Sequence, residues 1–107
     1  MIVDHRTYRV KPGCINAQLA IYEKYALDTQ IRYLGKPIAF LTSESGELNT
    51  MVHLWAFDSA ADREQKRAAM AADPAWPIYL KANVDAGYIV EQRTNLMVPA
   101  KFAPITR

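Results

Sequence analysis

This chain of 107 residues has one cysteine, two histidines and four glycines, and each scarcity closes off a class of function. A lone Cys14 can neither close an intrachain disulfide nor build a cysteine metal cluster, and it fits a reducing cytoplasm. Two histidines without HxH or HExxH spacing, and no acidic cluster, leave no basis for a dedicated metal site. Four glycines form no phosphate-cradling loop, and no GxSxG elbow is present. No uncharged apolar run approaches the ~20 residues of a membrane helix. The opening MIVDHRTYRV carries charges at positions 4, 6 and 9, so it lacks the apolar core of a signal peptide. The expectation is a soluble, cytoplasmic protein with no membrane insertion and no required cofactor.

Strong charge of one sign is also missing. Thirteen basic residues face eleven acidic ones, interspersed, for a net +2. There is no basic stripe and no interleaving of aromatics with Lys/Arg clusters, so nucleic acid is excluded as a partner.

What remains is an ordinary globular composition, half hydrophobic and 22% charged, of a length that fits one domain over residues 1–107. So small a domain has a thin core. Residues 2–10 read as a strand ended by Pro12-Gly13. Ile15, Leu19, Tyr22, Ala26 and Tyr33 then recur at helical spacing, predicting a helix over about 14–34 that Gly35 stops. PIAFLTS at 37–43 and residues 47–57 read as a hairpin around Ser45-Gly46. Asp58 or Ser59 caps the next helix, with Asp62 in a capping-box-like place and Lys66 four residues beyond it. Asp73-Pro74 ends that helix and starts a short further one, in which Pro77 demands a distorted or late first turn. Gly87 closes it, YIVEQRTNLMV is the last strand, and the proline-rich tail PAKFAPITR is irregular.

The resulting order, β-α-β-β-α-(α)-β, is that of an α+β ferredoxin-like fold with an antiparallel sheet. Its helices cover one sheet face. On the third strand Met51, His53, Trp55 and Phe57 share one face and Val52, Leu54 and Ala56 the other. Both are largely apolar, which predicts a helix layer on one side and a second subunit on the other.

Chemistry is carried by few side chains. His53, in mid-strand, suits a general base, a hydrogen-bond donor or a cofactor ligand, or else a buried histidine satisfied by a neighbour. Trp55 on the same face is a pocket wall or a packing block. Asp4, Arg6 and Tyr8 share a face of the first strand. With His53 they offer a cation, a phenol and an imidazole around one ligand, as binding a carboxylate or enolate requires. The alternative is ion pairing of Arg6 or Asp4 with Glu91 or Arg93 on the last strand. Arg63 and Arg67, four apart, either clamp an anion or sit in salt bridges. Trp76 is a further candidate ligand contact. Cys14 reads as a small packing residue.

Five pieces carry a family resemblance: RTYRVKPG at 6–13, a glycine and short apolar strand at 35–42, EL-N-x-x-x-H-x-W-x-F over 47–57, Arg63 and Arg67 leading to DPAW at 73–76, and NLMVPAKFAP at 95–104. In this order they resemble the NIPSNAP family, a branch of the dimeric α/β-barrel superfamily. The resemblance implies a homodimer in which two ferredoxin-like units pair their open sheet faces. It directs attention to His53, Trp55, Arg6 and Tyr8, without assigning them roles. Superfamily relatives include cofactor-independent monooxygenases, lactone isomerases and haem proteins. The expectation is therefore a pocket for a small organic ligand, using His53 and Tyr8 for cofactor-free proton transfer or oxygenation and Arg6, Trp55, Arg63 and Trp76 for binding. A non-catalytic interaction dimer is the alternative, and haem ligation by His53 or His5 a lesser one.

Overall fold

A computed structural model describes residues 1–106. The strands are β1 (Ile2–Val10), β2 (Ala39–Thr42), β3 (Thr50–Phe57) and β4 (Ile89–Met97). They form one antiparallel sheet in the order β2-β3-β1-β4. The helices α1 (Ile15–Tyr25), α2 (Leu27–Leu34), α3 (Ala60–Ala72) and α4 (Ala75–Ala86) complete an α+β, ferredoxin-like arrangement. Helix α1 packs on α4, and α2 on α3.

The long first helix of the sequence reading is two helices, broken at Ala26, whose backbone leaves the helical norm at φ −116°. Beyond the break the two segments take different neighbours, α4 for α1 and α3 for α2. Helix α3 begins as its residues dictate: the Asp62 N–H donates to Ser59 Oγ at 3.0 Å, and the Asp62 carboxylate accepts from the Asp58 N–H at 3.0 Å. Lys66 lies 3.2 Å from that carboxylate. Helix α4 starts late, at Ala75, which puts Pro77 at its third position, where its missing N–H would have had no helical partner in any case. Gly87, at φ 65°, ends it in the left-handed conformation that glycine alone adopts without strain.

Alternation along the strands decides what each face does. In register, Ile2, Asp4, Arg6 and Tyr8 of β1 stand opposite Phe57, Trp55, His53 and Met51 of β3, and this face lies under the helices. The helix–sheet layer has two ends of different character. At one end Leu34, Trp55, Phe57 and Met70 form a dry core, with Ile2, Tyr33 and Trp76 packed against it. At the other end the contact between layers is polar and aromatic, and it is hollow.

Among the described residues the opposite face has no helix. Val3 and Ala56 are buried there, His5, Thr7, Val52 and Leu54 half-buried, and Leu41 exposed. Strand β4 is exposed along almost its whole length. The tail crosses towards the β2 edge, where Thr106 shares a shallow groove with Lys36, Pro37 and Ile38. No helix of the described residues is long and apolar enough to cross a membrane.

Candidate functional site

The hollow end is a cavity of about 340 Å³ between sheet and helices, within the usual range for small-molecule sites. Its floor is Arg6 and Tyr8 of β1, Met51 and His53 of β3, and Phe40 of β2. Its roof is Gln18 and Tyr22 of α1, Gln30 of α2, Arg67 of α3, and Trp76, Tyr79 and Asn83 of α4.

His53 is the centre of the floor. Its ring stacks between Tyr8 (centroids 5.0 Å apart, planes 6° apart) and Phe40 (4.6 Å, 9°). The Trp55 indole N–H donates to His53 Nδ1 at 2.6 Å. An indole can only donate, so Nδ1 presents its lone pair and the proton of the neutral ring resides on Nε2. Burial, and then the Arg6 guanidinium, push the imidazole down to about 4, with Asp4 opposing only in part. At neutral pH His53 is thus an uncharged donor through Nε2–H. Of the roles open to it in the sequence, a general base is the one this environment disfavours.

Charge at the site is unbalanced. Asp4 is 1% exposed and is held from two sides, by Arg6 Nε at 3.1 Å and by Arg63 Nε at 3.1 Å. Arg6 also donates to the Tyr8 hydroxyl at 3.4 Å, leaving that hydroxyl's own proton available. Burial alone would lower the Arg6 pKa, but the Tyr8 and Asp4 contacts outweigh it and raise it. Arg67 lines the cavity with neither a hydrogen bond nor an ion pair among the described residues. Burial, then repulsion from Arg6 and Arg63, lowers its pKa, yet a guanidinium stays protonated. Three guanidinium groups therefore meet one carboxylate, an excess of two positive charges around the cavity.

The roof supplies further polar groups. The Tyr22 hydroxyl donates to Gln30 Oε1, and burial raises its pKa well above the ordinary phenol value. Burial, then Tyr8, pushes Tyr79 up to about 12. Gln18 Nε2 donates to Asn83 Oδ1 at 2.8 Å.

Of the residues singled out in the sequence, Arg6, Tyr8, His53 and Trp76 line this one cavity. Trp55 is fully buried beneath it and reaches it only through His53. Arg63 stands behind Asp4, and its neighbour Arg67 faces the cavity. The ion pairing expected between β1 and β4 also differs: Glu91 pairs with Arg9, at 3.1 Å, while Arg6 is satisfied inside its own strand. Gln18, Tyr22, Gln30, Phe40, Tyr79 and Asn83 were not anticipated as site residues. Their signal was polarity at core spacing: Gln18 with Tyr22, and Tyr79 with Asn83, are each four apart on one helix face.

Haem does not fit His53. Ligation needs the Nε2 lone pair, which would move the proton to Nδ1, where the Trp55 N–H already stands. His5, the other candidate ligand, lies on the helix-free face away from the cavity.

A ferredoxin-like sheet roofed by helices, with a cation-rich aromatic cavity between the layers, defines a small α+β pocket protein. The NIPSNAP family model matches residues 3–104, and the chain belongs to the NIPSNAP family. A NipSnap homolog of Dictyostelium discoideum is 33% identical over 76 residues, covering 66% of this chain and 31% of that protein. The chain thus spans about a third of the length of that curated relative. The crystal structure of protein Atu4242 from Agrobacterium tumefaciens superposes with a TM-score of 0.90 at 38% identity, covering 99% of this chain and all of that one. The structure of an antibiotic biosynthesis monooxygenase gives a TM-score of 0.61 at 13% identity, covering 94% of this chain and 99% of that one, a likeness of fold alone.

Proposed function

We propose that this protein is a homodimer that binds a planar organic anion in the helix–sheet cavity. The carrying observation is Arg67, an unpaired guanidinium facing a cavity that already holds excess positive charge. A partly desolvated cation without an ion-pair partner is destabilising, and an anionic ligand supplies that partner. Parallel aromatic rings and the flanking tyrosines favour a flat ligand body. The Tyr8 hydroxyl and His53 Nε2–H are donors beside one another, suited to holding negative charge that develops on a carbonyl oxygen. Stabilising a substrate that arrives as its own enolate or phenolate, with dioxygen as co-substrate for any oxygenation, is the chemistry that this pair of donors would serve. The single cysteine is consistent with a cytoplasmic setting.

Titration calorimetry with 2-naphthoate and its neutral isostere 2-naphthamide tests this reading. A hydrogen bond to a charged group contributes about 1.5–3 kcal/mol, so the carboxylate is expected to bind roughly 10- to 100-fold more tightly. Arg67→Gln should erase that preference without lowering the melting temperature. Equal affinity of the wild-type chain for the two ligands would sink the proposal.

The homodimer rests on the helix-free face, where Val52 and Leu54 are half-buried and Leu41 is exposed, and on β4 and Phe102, 92% exposed. A sheet face left without a helix layer is a surface that a second copy can cover. Native mass spectrometry is expected to give twice the chain mass, and Leu54→Asp to give the single chain. A monomeric wild type at micromolar concentration refutes the dimer.

A further inference from the structure

Gln18 is polar, lies on the cavity wall and is 1% exposed. Its Nε2 is used by Asn83, but its Oε1 is buried with no hydrogen-bond partner. An acceptor left in that state keeps its desolvation penalty uncompensated, and buried side-chain oxygens normally find a donor. Neighbouring helices place this acceptor in a definite part of the site. Gln18 and Asn83 belong to the α1–α4 pair, whereas Arg67 belongs to α3, which packs on α2. The acceptor and the cation therefore stand on different helix pairs of the cavity roof.

Building on the anion-pocket reading, we infer that the ligand is bifunctional: a planar acid whose carboxylate meets Arg67 and whose other end carries an O–H or N–H that donates to Gln18 Oε1. The class is that of hydroxy- or amino-substituted aromatic acids. Gln18 then acts as a selectivity element. A ligand lacking the donor leaves the buried oxygen unpaired, and sites that hydrogen-bond a ligand hydroxyl discriminate strongly against analogues without it. A ligand bearing only an acceptor at that end adds lone-pair repulsion.

Calorimetric titration of the wild-type chain with 6-hydroxy-2-naphthoate, 6-methoxy-2-naphthoate and 2-naphthoate tests the inference without any variant. The hydroxy acid is expected to bind at least tenfold more tightly than either of the others. Gln18→Leu should reduce that preference to within twofold. Equal binding of all three acids, with the Arg67 dependence intact, overturns this inference and leaves the anion pocket standing. Tighter binding of the methoxy acid also overturns it. If none of the acids binds, both readings fall together.

Discussion

Replacing Asp4 with asparagine is expected to lower the melting temperature by roughly 10–20 °C, the largest effect of any single polar substitution in this chain. The carboxylate is 1% exposed and is the shared anion of Arg6 and Arg63, whose side chains are 17% and 21% exposed. Assembling such a cluster adds little net stability, because desolvation offsets attraction. Removing one partner is different, since it strands the others. Breaking a buried pair in this way costs about 3–5 kcal/mol, and the partial exposure of both arginines favours the lower figure. At about 4–8 °C per kcal/mol for a domain near this size, the stated shift follows. The neutral amide would leave Arg6, Arg63 and Arg67 mutually repelling with no counter-charge. Asp85→Asn serves as the control, because Asp85 pairs with Lys81 on the surface with both side chains more than half exposed, where such pairs contribute little. Thermal melts of the two variants should separate widely. A shift for Asp4→Asn as small as that for Asp85→Asn would mean the cluster is not structural.

The second large effect is a pH dependence centred on His53. Its folded value of about 4 lies below an unfolded value near 6.5. Between those limits the unfolded chain takes up a proton at this position and the folded chain does not, so acidification favours unfolding. The contribution is fully present above pH 6.5, declines as the pH falls, and is gone near pH 4. The gap corresponds to roughly 3 kcal/mol, at 1.36 kcal/mol per pH unit. Carboxylates titrate in the same range, so the informative quantity is a difference between chains. In urea unfolding at pH 7, His53→Gln should be less stable than wild type, and that deficit should shrink by roughly 3 kcal/mol by pH 4. A deficit that stays constant across the range would show that burial does not depress His53.

Much of the fold was legible because its signals are local and redundant. Ser59, Asp62 and Lys66 fix the start of α3 by neighbouring contacts alone, and Gly35 and Gly87 mark helix ends through backbone conformations that other residues avoid. Strand β3 announced its two faces by alternation. The break at Ala26 left no such mark, because alanine and leucine are compatible with a continuous helix, and the two segments part only in tertiary packing, α1 on α4 and α2 on α3. The site was half legible for a related reason. Arg6, Tyr8 and His53 lie on adjacent strands, where alternation fixes which side chains share a face. Choosing Arg67 over Arg63 requires the rotation of α3 relative to the sheet, which a spacing of four cannot supply, since both residues lie on the same helical stripe. The same limit explains the missed contribution of α1 and α4: Gln18 and Asn83 meet 65 residues apart in sequence, through tertiary packing only.

The two-faced character of β1 and β3 has a bearing on how this chain can diverge. Cavity residues and helix-free-face residues alternate along both strands, so inserting or deleting one residue in either would exchange the two sets. Arg6 would turn away from the cavity and Thr7 would take its place, while His53 would yield to Val52 or Leu54. Connections such as 43–49, where no cavity residue resides, can change length without that exchange. Within β1 and β3 the cavity lining can change by substitution, in a reading frame that geometry holds fixed.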